Sequence, residues 1–413
     1  MPANKNTECR YCGATTLMEF LSLGEHPPSN SFITPEQIAV EQRYPLSVYV
    51  CEECHLVQLL DVVPAETIFS EYAYLSSASR ALRDHYEDLT RQLRRRLGLE
   101  AGDLVVDIGC NDGIMLNAHA EDLVRVGVEP SDVAEVARAD GFDICQEFFN
   151  VDTAKRLVDQ FGQARCVTAT NVFAHVDDIS AFTAGIPELL GPDGVFVVEA
   201  SYLIDLIDQV LFDTIYHEHL CYYSLTPMVP FFDRHGLEIF DVERVGFGAS
   251  GPAIRVFAQR SGGPHAVKDS VDRVLAYEES WGVGRLEAYA DYSRRVEGIR
   301  DEALTLIDRS RSSGARVGGY GAPAKGNTLL NYFGLNAERI EYIADTNVVK
   351  QGRVTPGSHI PIISEEEFLE RMPEYALLLT WNYLDFFLER SRYIEKGGTF
   401  IVPVPVPRLA PVR

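Results

Sequence analysis

The stretch DLVVDIGCNDGIML, Asp103–Leu116, decides the fold. It reads as an apolar strand, a turn carrying Gly109 and Gly113, and the start of a helix. A glycine-tight turn after a first strand lets backbone approach a nucleotide closely. The turn is not G-x-G-x-x-G, because Asn111 and Asp112 stand between its glycines. An acidic residue about 20 positions after such a turn can take ribose hydroxyls. Glu129, ending the strand RVGVEP, stands at that place. Upstream, residues 81–98 are rich in Leu and Arg and read as a helix. Downstream come a helix, the strand CVTATNVFAHV (166–176), a helix closing at GPDG (191–194) and the strand VFVVEA (Val195–Ala200). LEIFDVERV (237–245) and AIRVFAQR (253–260) supply two more strands. This alternation predicts an α/β protein with a parallel sheet wound on both sides.

The chain has 413 residues, too many for one ordinary core, so two or three domains are expected. Residues 270–313 are charged and helical in pattern, broken near Gly282. RVGGYGAPAKGNTLL (Arg316–Leu330) then restarts strand, glycine turn and helix, and predicts a second, smaller Rossmann-like unit. The expected domains are a zinc module with its linker at 1–80, a cofactor-binding domain at 81–262, and a C-terminal α/β domain at 263–413. Residues 65–80 read as the connection between the first two.

The net charge of −24 argues against a general nucleic-acid or anionic-membrane surface. No apolar run approaches the ~20 residues of a membrane helix. The opening MPANKNTECRYCG has no hydrophobic core of a signal peptide. A cytoplasmic, reducing location is therefore expected, where paired cysteines suggest metal. Four of the eight cysteines form C-x-x-C pairs, Cys9 with Cys12 and Cys51 with Cys54. Two such knuckles close a tetrahedral Zn²⁺ shell with no position left for substrate, so a structural zinc is expected. It would support a small fold unable to bury enough core alone.

In order along the chain, VVDIGCNDG, GVEP, TNVFAHVDD and GPDGVFVVEA resemble an S-adenosylmethionine-dependent methyltransferase of the Rossmann-like class. With the four-cysteine module, a YHEH motif (Tyr216–His219) and GYGAPAKGN, the resemblance narrows and covers essentially the whole chain. It is to the sugar C-methyltransferases that act on nucleotide-linked deoxy-4-ketohexoses in bacterial antibiotic pathways, nearest the 3-C-methyltransferases of the tetronitrose and mycarose type. The resemblance implies that Gly109, Asn111 and Gly113 line the methionine and ribose end of S-adenosyl-L-methionine, with Glu129 on the ribose hydroxyls. It places Asn171 and Val172 near the reacting centre, and Ser77 and Arg80 over the cofactor's carboxylate. GFGASGPAIRV (Gly246–Val256) departs from the family's Gly-Gly-Ser-Leu-Arg type of stretch; Ser250 and Arg255 are its candidate equivalents.

TIYHEHLCYYS (Thr214–Ser224) gathers two histidines, a glutamate and three tyrosines, where the whole chain has ten histidines. His217 and His219 are two apart, not four as in H-E-x-x-H, so a catalytic metal is not expected here. Methylating C3 beside a C4 ketone requires loss of the C3 proton and a stabilised enolate. A near-neutral histidine suits that proton abstraction. His219 is the expected base, with Tyr216 and Glu218 orienting it or contacting the sugar. His175 and Tyr74 are candidate donors to the C4 oxygen, where charge develops. In the C-terminal turn, Gly318, Gly319, Gly321 and Gly326 at a helix N-terminus favour phosphate. Lys325, Asn327, Lys350 and Arg353 are the expected residues for a nucleotide pyrophosphate, with Trp381 and Asn382 placed to hold its base.

The expected partner is thus a nucleotide-linked 4-ketosugar, with no nucleic acid or membrane, and the expected state is a monomer. Three alternatives stay open. They are methylation at C5 or on an oxygen, a zinc-ribbon binding protein on a decayed methyltransferase fold, and an NAD-dependent oxidoreductase using the C-terminal unit. The oxidoreductase lacks a second G-x-G-x-x-G with its acidic partner, and an oxygen nucleophile would need no enolate donors.

Overall fold

The structure, a computed structural model, describes residues 4–64, 68, 75–246, 251–312 and 314–411. Tyr74, Ser250 and most of the expected connection at 65–80 lie outside the described residues. The strands of the N-terminal part are β1 (Asn4–Lys5), β2 (Leu17–His26), β3 (Tyr44–Cys51), β4 (Val57–Leu59) and β5 (Asp61–Val62). Next come β6 (Leu104–Ile108), β7 (Val124–Val128), β8 (Asp143–Cys145), β9 (Ala164–Thr170), β10 (Leu190–Ser201), β11 (Cys221–Tyr222), β12 (Leu237–Val245) and β13 (Ala253–Arg260). The C-terminal part holds β14 (Val317–Tyr320), β15 (Ile343–Ala344), β16 (Ile362–Ile363), β17 (Tyr375–Leu378), β18 (Thr399–Val402) and β19 (Arg408–Ala410).

The central sheet has seven strands in the order β12-β13-β10-β9-β6-β7-β8. Every residue of LVVDI in β6 is buried, as a strand covered on both faces requires. β6 to β10 pair in parallel, whereas β13 runs antiparallel to both β10 and β12. The wholly parallel sheet expected from alternation is thus corrected at one edge. Helix Arg80–Leu97 covers one face through Leu82, Tyr86, Leu89, Leu93 and Leu97, apolar at helical spacing. The Ser79 hydroxyl caps its start and left-handed Gly98 ends it. The expected turn at GPDG instead falls inside β10, whose register against β9 shifts between Leu190 and Val195.

The second sheet has the order β16-β15-β14-β17-β18-β19, parallel except for its last pair. In each sheet the order reverses beside the first glycine turn: between β6 and β9, and between β14 and β17. Ligands of open α/β sheets bind at such switch points, beyond the carboxyl ends of the strands.

The zinc module does not stand apart. Its sheet, β11-β4-β3-β2, takes β11 from the segment just after YHEH. Tyr11 stacks on Phe231, ring centroids 3.8 Å apart, and Cys9 and Cys51 belong to the core under the central sheet. The other face, with Leu21, Leu46 and Val48, packs in one core with Leu203, Phe212 and Ile215 and the C-terminal domain. The module is a wedge between the two α/β units, and its apolar burial comes largely from them.

Candidate functional site

Cys9, Cys12, Cys51 and Cys54 bring their sulfurs within 4.8 Å of one another, with Cys9–Cys54 and Cys12–Cys51 each at 3.5 Å. Zn–S bonds of about 2.3 Å in a tetrahedron demand sulfurs about 3.8 Å apart. The four thiols fit that shell, and no other such cluster of potential ligands occurs among the described residues.

At the end of β6, Gly109, Asn111 and Gly113 have φ of +72°, +51° and +83°. A Cβ on Gly109 would collide with both Val172 methyls, so only glycine lets the β6 turn close on the end of β9. Glu129 holds the turn: Asn111 donates its N–H to one carboxylate oxygen at 3.0 Å, and the Ser131 N–H and hydroxyl donate to the other. A carboxylate offers about four acceptor positions, so ribose hydroxyls can still join it. Ser76 and Ser77 donate backbone N–H groups to the Asn111 and Asp112 side chains, at 2.9 and 3.0 Å. Those bonds carry the start of helix Arg80–Leu97 over the turn. Arg80 itself is 87% exposed and its side chain pairs with Asp84. The structure does not bring it to the turn.

Asn171 has φ +57° and donates its N–H to the Glu199 carbonyl at 2.8 Å, which throws Val172 toward Gly109. The Glu199 carboxylate is fully buried between His85 (2.6 Å) and Arg255 (2.6 Å). Arg255, a candidate equivalent of the family's motif residue, is thus engaged by Glu199 of β10 and Glu243 of β12. His85 had no pattern to mark it beyond being a lone histidine on a Leu/Arg-rich helix.

The YHEH motif is a turn, closed by the His219 N–H on the Tyr216 carbonyl at 2.8 Å, between the 3-10 turn Phe212–Thr214 and β11. Its histidines part company. His217 donates Nε2–H to the Pro45 carbonyl of β3 at 3.1 Å, and its buried Nδ1 has no partner among the described residues. His219 donates Nδ1–H to the Thr214 carbonyl at 2.8 Å. A carbonyl only accepts, so the proton sits on Nδ1 and Nε2 presents a lone pair. Tyr216 and His175 flank that ring, at centroid distances of 4.1 and 4.9 Å. The Ala174 carbonyl takes the Leu220 N–H at 2.7 Å, which ties the turn to the end of β9. The cofactor turn and the YHEH turn therefore meet through residues 171–175.

Burial lowers His219 to about 4, partly opposed by the Thr214 carbonyl, and lowers His175 to about 3 with help from His219. The expected near-neutral imidazole is corrected: desolvation keeps His219 uncharged through the physiological range. Burial has the opposite effect on Glu218, raising it to about 7 against the Asn30 amide bond at 2.8 Å. Asn30 lies in HPPSNSF (26–32), a loop of the zinc module that sequence reasoning missed. Its signal was a run of prolines and small polar residues before Phe32.

At the second switch point, Gly321 alone of the turn's glycines has a positive φ (+79°). Gly318 and Gly319 lie within β14, where a Cβ would meet Phe368 at 2.7 Å and Ile343 at 2.6 Å. Their absent side chains serve packing, which corrects the reading of all four as a phosphate cradle. Lys325 donates to the Asn382 side-chain oxygen at 2.6 Å and lies 4.1 Å over the Trp381 ring. Lys350 donates to the Ala322 carbonyl at 2.8 Å and lies near Asp345. Asn327 donates to the Ser29 carbonyl at 2.7 Å, and Arg353 to the Phe32 carbonyl at 2.8 Å. These last two therefore grip the loop that carries Asn30.

A glycine turn on a parallel sheet, an acidic residue ending the second strand and a capping N-terminal helix define an S-adenosylmethionine-dependent methyltransferase. Residues 81–242 match a methyltransferase domain, 9–69 a domain described as zinc binding, and 248–405 a C-methyltransferase C-terminal domain. The chain is 37% identical over 406 residues to C-methyltransferase NovU of Streptomyces niveus, covering 97% of this chain and 96% of that one. It belongs to that C-methyltransferase family, with S-adenosylmethionine as cofactor and a zinc-binding module. Among solved structures, a methyltransferase of Clostridium acetobutylicum aligns with TM-score 0.35 and 12% identity, over 44% of this chain and 92% of that one. Magnesium protoporphyrin IX methyltransferase of Synechocystis with bound cofactor gives 0.32 and 14%, over 43% and 79%. Likenesses at this level add nothing to the argument.

Proposed function

We propose that this enzyme moves the methyl group of S-adenosylmethionine to C3 of a dTDP-linked 4-keto-deoxyhexose, carrying hydroxyl or amine at C3, in antibiotic sugar biosynthesis. The observation that carries the proposal is the His219 tautomer: Nδ1–H is spent on the Thr214 carbonyl, which leaves Nε2 as the accepting nitrogen of a ring flanked by those of His175 and Tyr216. Nε2 takes the C3 proton, and the electron pair spreads onto the C4 oxygen. Donors to that oxygen stabilise the enolate, a role that falls to His175 and Tyr216 here and that the sequence also gives to Tyr74. Glu218, poised near 7, is a carboxyl able to donate a hydrogen bond to the sugar. The cofactor supplies an electrophilic methyl group, and no metal is required for its transfer.

In this reading Gly109, Asn111, Gly113, Glu129, Asn171 and Val172 hold the cofactor, with Ser77 closing the turn. Arg80 would have to swing inward to reach it. Lys325 and Lys350 give the second switch point its positive charge and meet the pyrophosphate. Asn327 and Arg353 act through the 26–32 loop. The domain limits 1–80, 81–262 and 263–413 remain part of this proposal, as do cytoplasmic location and a monomeric state. No helix among the described residues is long and apolar enough to cross a membrane.

The test is incubation with S-adenosylmethionine and a panel of nucleotide-linked 4-ketohexoses, followed by NMR of the product. A new methyl on C3 of a dTDP sugar is expected. A methyl on C5 or on oxygen, or turnover only with sugars lacking the nucleotide, contradicts the proposal.

A further inference from the structure

The 3-10 turn Phe212–Thr214 supplies the carbonyl that fixes the His219 tautomer, yet the turn is held from outside its own domain. Asp213, at its centre, is completely buried. One carboxylate oxygen accepts the Trp381 indole N–H at 2.6 Å, and the other has no partner among the described residues. Its electrostatic neighbours are Lys325, a cation, and Tyr292 on helix Leu286–Arg311. Trp381, Lys325 and Tyr292 all lie beyond residue 285. A second hold follows two residues on, where the Thr328 hydroxyl donates to the Ile215 carbonyl at 3.1 Å. A buried carboxylate with one oxygen unmet is a poor stabiliser, since the cost of desolvating a charge can exceed what its pairing returns. An apolar side chain would hold the turn in the core at least as well.

We propose that Asp213 is a positioning residue: anchored by the Trp381 indole N–H, it holds the Thr214 carbonyl against Nδ1 of His219. This rests on reading His219 as the base. The C-terminal domain thereby does more than bind one end of the substrate. It sets the geometry of the proton-abstracting group through a contact 168 residues away in sequence.

Trp381→Phe tests this, because it keeps a ring under Lys325 and removes the indole N–H. Titratable neighbours that face His219 are His175 and Tyr216, and those that face Asp213 are Lys325 and Tyr292. The Thr214 bond raises the His219 pKa. Its loss therefore moves the acid limb of the rate profile to lower pH. Trp381→Phe should lower kcat roughly 10-fold, the effect of about one neutral hydrogen bond, and shift that limb. Cofactor affinity by calorimetry should be unchanged. Asp213→Asn, which still accepts from Trp381, should keep the limb in place. Asp213→Leu, with no acceptor, carries the same test if Trp381→Phe does not fold.

An acid limb that stays fixed in Trp381→Phe or Asp213→Leu overturns the proposal, whether or not kcat falls with the folded fraction. A limb that moves equally in Asp213→Asn also overturns it, since charge and not the indole contact would then be responsible. His219→Asn is run alongside: if it keeps normal turnover, the base assignment itself has failed, whatever the Asp213 variants do.

Discussion

Gly109→Ala probes the closest approach in the cofactor turn. Gly109 has φ +72°, in the left-handed region. An alanine there costs about 1–2 kcal/mol before any contact is considered. The added Cβ would also strike the Val172 side chain, lying 2.9 Å from one methyl carbon and 3.2 Å from Cβ, with the other methyl closer still. Overpacking of that kind costs about 1–3 kcal/mol. The sum, about 2–5 kcal/mol, falls on two turns at once, because Val172 follows Asn171, itself held at φ +57° by the Glu199 carbonyl. Retreat of Val172 would open the switch point between β6 and β9. Calorimetric titration with S-adenosylmethionine and with its demethylated product should show at least a 10-fold loss of affinity, about 1.4 kcal/mol, and thermal melting should fall as well. The double variant Gly109→Ala/Val172→Ala removes both methyls and should recover the collision part, leaving the backbone part. Wild-type affinity and melting in the single variant, or a double variant no better than the single, would show that Gly109 and Val172 do not close the cofactor turn in this way.

Three further outcomes are expected. Arg255→Met should cost about 3–5 kcal/mol in guanidinium unfolding, because it strands the buried Glu199 carboxylate with His85 alone; a change within about 0.5 kcal/mol, the surface-substitution range, would show that Arg255 carries no such load. Acid should destabilise the fold well above the carboxylate range, since His26, His217 and His219 are each lowered to about 4 by burial. The unfolded chain binds these protons below about 6.5 and the folded chain only near 4, so stability falls as pH drops through that window, by about 2 kcal/mol per histidine at pH 5. A denaturation midpoint flat from pH 7 to 5 would contradict it. Metal analysis should find about one zinc per chain, and Cys51→Ser should lose zinc and melting temperature together, whereas intact protein free of zinc without chelation would overturn the four-thiolate site.

What could be read from the chain was local. Asp103–Leu116 declared strand, turn and helix because apolar run, glycines and helix start are contiguous, and the paired cysteines announced their metal by spacing. The tautomer of His219 could not be read, since it depends on the Thr214 carbonyl five residues back, in a turn with no sequence signal. Nor could its depressed pKa, because burial comes from elements distant in the chain. The Asn30–Glu218 bond spans 188 residues, and the His85–Glu199 pair 114. The antiparallel direction of β13 was hidden too: AIRVFAQR is nearly all buried, and an apolar run does not state its direction. GPDG carried strong turn residues, and it falls inside β10 at the register shift, between the residues Leu190 and Val195 that pair with β9. Gly318 and Gly319 looked like a phosphate cradle only because packing glycines and turn glycines are the same letter.

The central claim is that His219 Nε2 removes the proton from the carbon to be methylated. The direct measurement is solvent-deuterium exchange at C3 of the nucleotide 4-ketosugar, with the demethylated cofactor bound so that no methyl can transfer. Wild type should exchange that proton, and His219→Asn should slow exchange roughly 10²–10⁴-fold while binding both ligands. Exchange at the wild-type rate in His219→Asn, lost instead in His217→Asn or His175→Asn, would contradict the account and move the base to that residue.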